Sequence, residues 1–522
     1  MSEPSAKNRW AFITELARPS LKDNTADADR LFQVVRRHLA VDNLSLDIDL
    51  DLLRSLPQRL RSWDYRVRCV CFRDRGHAVL LTVQSPGEPA PLGLAIDLGT
   101  SRVVLRLMDL EGGQILGETA FTNPQTAVGP DILARIHHAE KPAGLQHLQD
   151  RIIAEINRQT DRLCRSLDRT ASEVVLAAVA GNTAMTHLFL GLDPRGLIRE
   201  PYIPVTNRPG FFRAEDLKLQ LHPRGRIFVF PNIGSYFGGD LISGILYSGV
   251  HRTEDDTLLV DVGTNAEVVL GNRHWLIACA GAAGPALEGG VTRMGMMAEP
   301  GVIDRVAIDP ATHRFELHTI ADRPPRGICG SGLIDLAAQL FLSGMIDIRG
   351  KFIAEACGER LQQIDGMAHL ILVPSEVAAD GKTLTLSQAD LDSLIRSKAA
   401  MYTILETLTG TVGVSMDAVA TFHIAGTFGS FIQPTSAITI GMIPDLPLDR
   451  FQVLGNSSLE GATRLLLDAS LVPEIDAIRD RITYLELNVN QDFMNRFSAA
   501  KFLPHTDLER FPSVQSRLAR SG

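Results

Sequence analysis

The 522-residue sequence predicts an α/β protein of two similar lobes with a small α+β domain in front. Three observations carry this reading. Apolar strands alternate with long helical patterns through most of the chain. A strand that ends in Asp-x-Gly-Thr and turns into a second strand occurs at 92–105 and again at 258–270. Apolar residues at 45% and charged residues at 22% describe a globular chain with a large core. A repeat at so long an interval signals duplicated lobes; solenoid periods are about 20–50 residues.

Residues 1–90 make the α+β domain. Residues 10–13 read as a strand. Residues 25–39 have helical apolar spacing at Ala28, Leu31, Val34, Val35 and Leu39, with Asn24 or Thr25 as N-cap. Residues 52–60 suggest a second helix, and 65–72 and 78–83 are β-rich. The Pro/Gly-dense loop 85–91 marks a boundary. Residues 91–250 form the first lobe. Residues 251–522 form the second, with return segments at its end. Helical patterns cover 131–167 and 386–411. Residues 178–183 and 453–457 each read as strand, Gly-Asn, then a hydroxyl residue opening a helix.

The net charge of −9 argues against broad nucleic-acid binding, which needs a basic surface. No run of about 18 apolar residues exists, so no membrane span is expected. The start, Met1-Ser2-Glu3-Pro4-Ser5, has no apolar signal region, and a cytoplasmic protein is expected. Of the six cysteines, Cys69, Cys71, Cys164, Cys279, Cys329 and Cys357, only the first two lie close together. Iron–sulfur clusters need four ligands in runs such as C-x₂-C, and zinc sites use paired C-x₂-C. The cysteines read as reduced core thiols, and no iron–sulfur cluster is expected in this chain.

The Asp-x-Gly-Thr turn suits phosphate. Glycine lets backbone approach an anion, consecutive N–H groups form an anion nest, and the threonine hydroxyl adds a donor. The expected nucleotide contacts are Gly99, Thr100, Ser101, Gly263, Thr264 and Asn265. Asp97 and Asp261 are the candidate catalytic carboxylates, facing each other across a cleft and holding Mg²⁺ through its waters. D-x-G also occurs in ordinary hairpins; the repetition makes the pattern specific. A third element, 421–430, runs from a strand into Gly426-Thr427-Phe428-Gly429, where adenosine would lie against backbone. Gly330, Ser331 and Gly332 offer N–H groups ahead of a helix from Leu333, with close helix packing as the alternative. Glu288, in the glycine-rich run 281–290, is a candidate to orient the attacking water; a dipole partner in a first helical turn is the duller reading. Asp240 is read as an N-cap for a helix from Leu241, or as a general base. His187 and His423 read as hydrogen-bonded core residues. His137 and His138 lack partners at metal spacing. Residues 54–61 read as a solvated arginine-rich helix face.

Taken in order, the two turns and the Ala-Gly-x-x-Gly segment form the pattern of the superfamily of sugar kinases, acetate kinase, chaperone ATPases and actin. This implies an actin/sugar-kinase-like, ribonuclease H-like ATPase that binds ATP and Mg²⁺. The chain further resembles the ATP-dependent reductive activators of corrinoid proteins, in their middle and C-terminal regions. The resemblance rests on 16–24, read as the start of the middle region, and on Asn123-Pro124-Gln125 and Gly181-Asn182-Thr183-Ala184-Met185. It continues through Ala283-Gly284-Pro285-Ala286, 330–335 and Gly441-Met442-Ile443-Pro444. It implies an ATPase whose lobe closure drives one electron onto the cobalt of a partner corrinoid protein, Co(II) to Co(I). Family members carry an iron–sulfur domain, for which only about 15 residues precede the middle-type region here. The expectation is therefore a separate ferredoxin-type donor, with an activator that has lost its redox role as the alternative; a homodimer is left open. Two other readings compete. One is a small-molecule kinase of the sugar or acetate kinase type with Asp240 as base. The other is a non-catalytic nucleotide-sensing partner protein.

Overall fold

The structure, a computed structural model, describes residues 8–39, 45–74, 77–263, 266–281, 292–426, 432–487 and 491–521. The chain forms two units. One comprises Met1–Tyr247 with Ser457–Asp480, the other Ser248–Asn456 with Arg481–Gly522. Among the described residues no helix is long and apolar enough to cross a membrane.

The first unit opens with four strands, β1 (Ala11–Glu15), β2 (Ser45–Ile48), β3 (Arg66–Asp74) and β4 (His77–Gln84), in the order β1-β3-β4-β2. Helices α1 (Asp27–Leu39) and α2 (Leu50–Ser62) place Leu31, Val35, Leu52, Leu56 and Leu60 in the core shared with this sheet. β2 escapes the sequence reading because it is four residues long and buries only Leu46. The expected N-caps Asn24 and Thr25 fall too early. The Asp23 carboxylate takes the Thr25 N–H and hydroxyl, and the first helical bond runs from Arg30 N–H to the Ala26 carbonyl. Cys69 and Cys71 are buried in this core, which pushes the Cys71 thiol up to about 12 and Cys69 well up as well.

A six-stranded sheet follows. Its strands are β5 (Leu92–Leu98), β6 (Arg102–Asp109), β7 (Ile115–Thr122), β8 (Val174–Gly181), β9 (Gly210–Arg213) and β10 (Arg226–Val229), in the order β7-β6-β5-β8-β10-β9. β5 and β8 are parallel central strands and read as continuous apolar runs, as strands covered on both faces do. The single helical pattern over 131–167 is two helices, α3 (Ile132–Ala139) and α4 (Gly144–Arg165). Pro142 cannot continue a helix, and Ala143 sits at φ 58°. Helices α5 (Thr183–Leu190) and α6 (Gly239–Ser248) follow β8 and β10.

The second unit is built on β11 (Thr257–Val262), β12 (Ala266–Gly271), β13 (Leu276–Gly281), β20 (Thr421–Ala425), β21 (Phe451–Gly455) and β22 (Ile482–Tyr484), in the order β21-β20-β11-β12-β13-β22. Two three-stranded sheets accompany it. One joins β14 (Val302–Ile308), β15 (Phe315–Thr319) and β16 (Gly327–Ile328). The other joins β17 (Leu361–Ile364), β18 (Met367–Val373) and β19 (Leu384–Ser387). The long helix Gln388–Val412 starts two residues later than its pattern, because Leu386 and Ser387 end β19. Ser387 and Asp390 close its N-terminus as a capping box.

The duplication read from Asp97 and Asp261 is topological. β7-β6-β5-β8-β10 and β13-β12-β11-β20-β21 run in the same spatial order, each starting from an antiparallel hairpin. The second pair of similar segments is not part of it. β8 lies directly beside β5, whereas β21 lies one strand beyond β11 and corresponds to β10. The helix after β21, Ser457–Leu467, belongs to the first unit, where it packs on β5 and β8.

Candidate functional site

In the first unit β5 turns through Gly99, Thr100 and Ser101 into β6. Gly99 is required there, because a Cβ would lie 2.3 Å from the Arg102 carbonyl oxygen. Asp97 pairs in register with Val104, and its Oδ1 accepts a hydrogen bond of 2.8 Å from Ser458 Oγ. The turn is held from outside by three side chains. Asn182 Nδ2 donates to Thr100 Oγ1 at 3.0 Å. Asn123 Nδ2 donates to the Gly99 carbonyl at 2.9 Å, and an Arg135 Nη donates to the Thr100 carbonyl at 2.7 Å.

Local chemistry explains why these side chains are in place. Asn182 is the N-cap of α5, accepting from the Met185 N–H at 2.9 Å. Asn123 is fully buried and accepts from the Gln125 N–H, while Gln125 reaches the Leu148 carbonyl of α4. The Asn-Pro-Gln and Gly-Asn-Thr-x-Met segments thus both support the Asp97 turn. Arg135 was not singled out in the sequence. A lone arginine in an amphipathic helix carries no signal, and the tertiary structure alone buries it.

α6 comes up against the same place. A Cβ on Gly238 would lie 2.3 Å from the Asn182 Cα. The helix begins at Gly239, so Asp240 sits in its first turn and is not a cap ahead of Leu241, although its Oδ1 does accept the Leu241 N–H at 2.9 Å. Burial, with the neighbouring negative charge of Asp97 adding to it, pushes the Asp240 acid up to about 7. Two carboxylates that feel each other's charge favour a cation, and Asp97 and Asp240 are the oxygen ligands that this unit could offer one.

In the second unit Asp261 pairs with Glu267 across the β11–β12 hairpin and with Ala425 of the parallel strand β20. Gly426 follows at φ +91°. A Cβ there would lie 2.6 Å from the Val262 carbonyl oxygen and 2.7 Å from Asp261 Oδ1, so only glycine lets β20 end this close. Gly263 follows β11 directly. Thr264, Asn265, Glu288, Thr427, Phe428 and Gly429 lie outside the described residues.

The Gly330-Ser331-Gly332 segment lies at a helix N-terminus, as expected, but the helix starts earlier than Leu333. Helix α7 (Gly330–Leu342) begins three residues before Leu333, with Cys329 as N-cap, so these residues form its first turn. Ser331 is buried, its hydroxyl 3.1 Å from Cys329 Sγ. A Cβ on Gly332 would lie 2.4 Å from the Ile303 carbonyl oxygen, which is close packing of α7 on β14. Asp335 is structural as well, accepting from the Val306 N–H and from Ser436 Oγ, each at 2.6 Å.

His187 is the expected core histidine, with Nδ1 2.7 Å from the Thr183 carbonyl and Nε2 accepting the Val205 N–H. His423 is buried, but its Nδ1 has no hydrogen-bond partner among the described residues, and burial pulls its pKa down to about 4. All six cysteines are buried and free. Among the described residues no three His, Cys, Asp or Glu side chains group as metal ligands.

Residues 255–515 match the C-terminal domain of RACo, the ASKHA domain; 92–253 match the RACo middle region, and 10–88 the RACo linker region. The chain belongs to the RACo family. Its N-terminal α+β domain is therefore the RACo linker rather than the start of the middle region, which lies at 92–253. The ASKHA assignment agrees with the actin/sugar-kinase class expected from the paired turns. A solved structure of a reductive activator for corrinoid, iron-sulfur protein superimposes with a TM-score of 0.88 at 38% identity, covering 98% of this chain and 81% of that one. The corrinoid activation enzyme RamQ of Eubacterium limosum is 29% identical over 475 residues, 86% of this chain and 79% of RamQ. The [Co(II) methylated amine-specific corrinoid protein] reductase of Methanosarcina barkeri is 25% identical over 440 residues, 77% and 75% of the two chains.

Proposed function

We propose that this protein is the ATP-driven module of a corrinoid-protein activation system. One observation carries the reading. In a RACo-family chain, the segments Asn123–Gln125 and Asn182–Met185 converge on a single Asp-x-Gly-Thr turn. In this reading Gly99, Thr100 and Ser101 of the first unit and Gly263, Thr264 and Asn265 of the second contact the phosphates. Asp97 and Asp261 hold Mg²⁺ through water, with Asp240 beside Asp97. Gly426, Thr427, Phe428 and Gly429 accept the adenosine, and Glu288 orients water. Gly330 and Ser331 stay at the margin of this set, because packing already accounts for their segment. Bound Mg²⁺ would supply charge neutralisation at the phosphates. The chain's own part is to orient the phosphates and exclude water.

Hydrolysis would drive one electron from a separate low-potential ferredoxin-type protein onto the cobalt of a corrinoid protein, taking Co(II) to Co(I). The energetic need is concrete: each ~59 mV of uphill gap in a one-electron step takes about 1.4 kcal/mol. The partner couples to nucleotide only by binding one nucleotide state better than another.

The test follows corrinoid absorbance under anaerobic conditions, with ATP, ferredoxin and this protein each present or omitted. Co(I) should form only when all are present, and the Co(II) corrinoid protein should stimulate ATP hydrolysis. The same Co(I) yield without this chain would end the activator reading. The raised acid of Asp240 is what a kinase base would need, so turnover stimulated by a small hydroxyl compound or carboxylic acid would favour the small-molecule kinase instead.

A further inference from the structure

Arg135, on α3, is fully buried, with a relative exposure of 0%. Its Nε donates to the Gly129 carbonyl at 2.9 Å and one Nη to the Thr100 carbonyl at 2.7 Å. The other Nη lies 3.2 Å from Met185 Sδ and 3.5 Å from Gln125 Oε1. Among the described residues it forms no ion pair. The acid that most influences it, Asp131, is used as the N-cap of α3. A buried guanidinium without a carboxylate is expensive, and a purely structural site would favour a neutral side chain. An anion bound at the neighbouring turn would supply the missing charge.

The peptide planes make the link specific. The Gly99 carbonyl and the Thr100 N–H belong to one rigid plane, and the Thr100 carbonyl and the Ser101 N–H to the next. Asn123 donates to the first carbonyl and Arg135 to the second. A donor on a carbonyl polarises its peptide and strengthens the N–H at the other end. We propose that Arg135 is the positioning residue of the Asp97 turn, fixing and polarising the Thr100–Ser101 peptide so that its N–H binds a phosphate oxygen of the nucleotide. The inference rests on the ATP reading above and adds to it a residue that does not itself touch substrate. It also explains why Gly129, Gln125 and Met185 meet at one point: each presents an acceptor atom to the same guanidinium.

The test uses the full chain with Arg135→Gln, Arg135→Lys and, as a packing control, Leu163→Ala in the α4 core. Calorimetric MgATP and MgADP affinities are read beside the melting temperature. Arg135→Gln should bind MgATP at least tenfold more weakly. Arg135→Lys, which keeps the charge but loses the fork, should recover only part of that loss. Leu163→Ala should melt earlier with unchanged affinity. Arg135 is merely structural if Arg135→Gln keeps wild-type MgATP affinity, or loses no more than Leu163→Ala at equal loss of melting temperature. If the wild-type chain binds neither nucleotide, the ATP reading falls and this inference with it.

Discussion

Asp97 is placed by three independent features. It sits one residue before the end of a central strand, the Gly99 turn follows, and Ser458 hydrogen-bonds its carboxylate. Replacing Asp97 or Asp261 with alanine should weaken MgATP binding at least tenfold, about 1.4 kcal/mol, by calorimetry. Unchanged affinity in both variants would remove the two aspartates from the site. Gly99→Ala forces a Cβ to within 2.3 Å of backbone. It should cost about 1–3 kcal/mol in denaturant unfolding and lower MgATP affinity as well. Asp240 gives a pH test. Its acid is raised from 3.8 to about 7, so between those values the unfolded chain has released a proton that the folded protein keeps. Its contribution to stability therefore falls as pH rises from about 4 to about 7 and is flat above. Wild-type stability relative to Asp240→Asn should drop by roughly 3 kcal/mol between about pH 4.5 and pH 7.5 in urea titrations. Parallel pH profiles for the two proteins would contradict the raised acid.

Elements around the site are joined by buried polar groups rather than by apolar contact alone. Asp335 ties α7 to β14 through the Val306 N–H and to Ser436 on the short helix Pro434–Thr439. Asp335→Ala strands that buried N–H and hydroxyl and should destabilise the protein by roughly 2–4 kcal/mol, about 1–3 for each orphaned group with partial relief. Thermal unfolding followed by circular dichroism reads this directly, and a loss below half a kcal/mol would show that water or relaxation replaces the carboxylate. The break between α3 and α4 has a geometric consequence. It lets α3 bring Arg135 to Thr100 while α4 covers β6 and β7, which one continuous helix over 131–167 could not combine.

The molecule repeats one strand order in two units, each with an aspartate near the end of its first central strand. In the ATP reading proposed above, each Asp-x-Gly-Thr turn contributes to nucleotide binding, so altering the turns should remove the stabilisation that the ligand confers. At a hundredfold excess over Kd, MgATP should add about 2.7 kcal/mol to wild-type stability. The Asp97→Ala/Asp261→Ala double variant should gain almost nothing in the same thermal-shift experiment. A double variant that still gains the full increment would place the nucleotide elsewhere in the chain.

Much of the plan was legible in the residues themselves. Strand period, turn chemistry and the double Asp-x-Gly-Thr signature depend on neighbours within a few positions, so they survive in linear sequence and specify the α/β class and both hairpins. The capped turn Gly181-Asn182-Thr183 was local in the same way, and α5 starts there. Other features were decided by contacts between residues far apart in the chain. Burial of Arg135, the hydrogen bond from Ser458 to Asp97 over 361 positions, and the rise of the Asp240 acid beside Asp97 all need the folded core to exist first. The same holds for β21 and the helix after it. Their Gly-Asn turn resembles that of β8, yet the sheet places β21 with β10 and the helix joins the first unit, because strand position is set by pairing partners and not by local pattern.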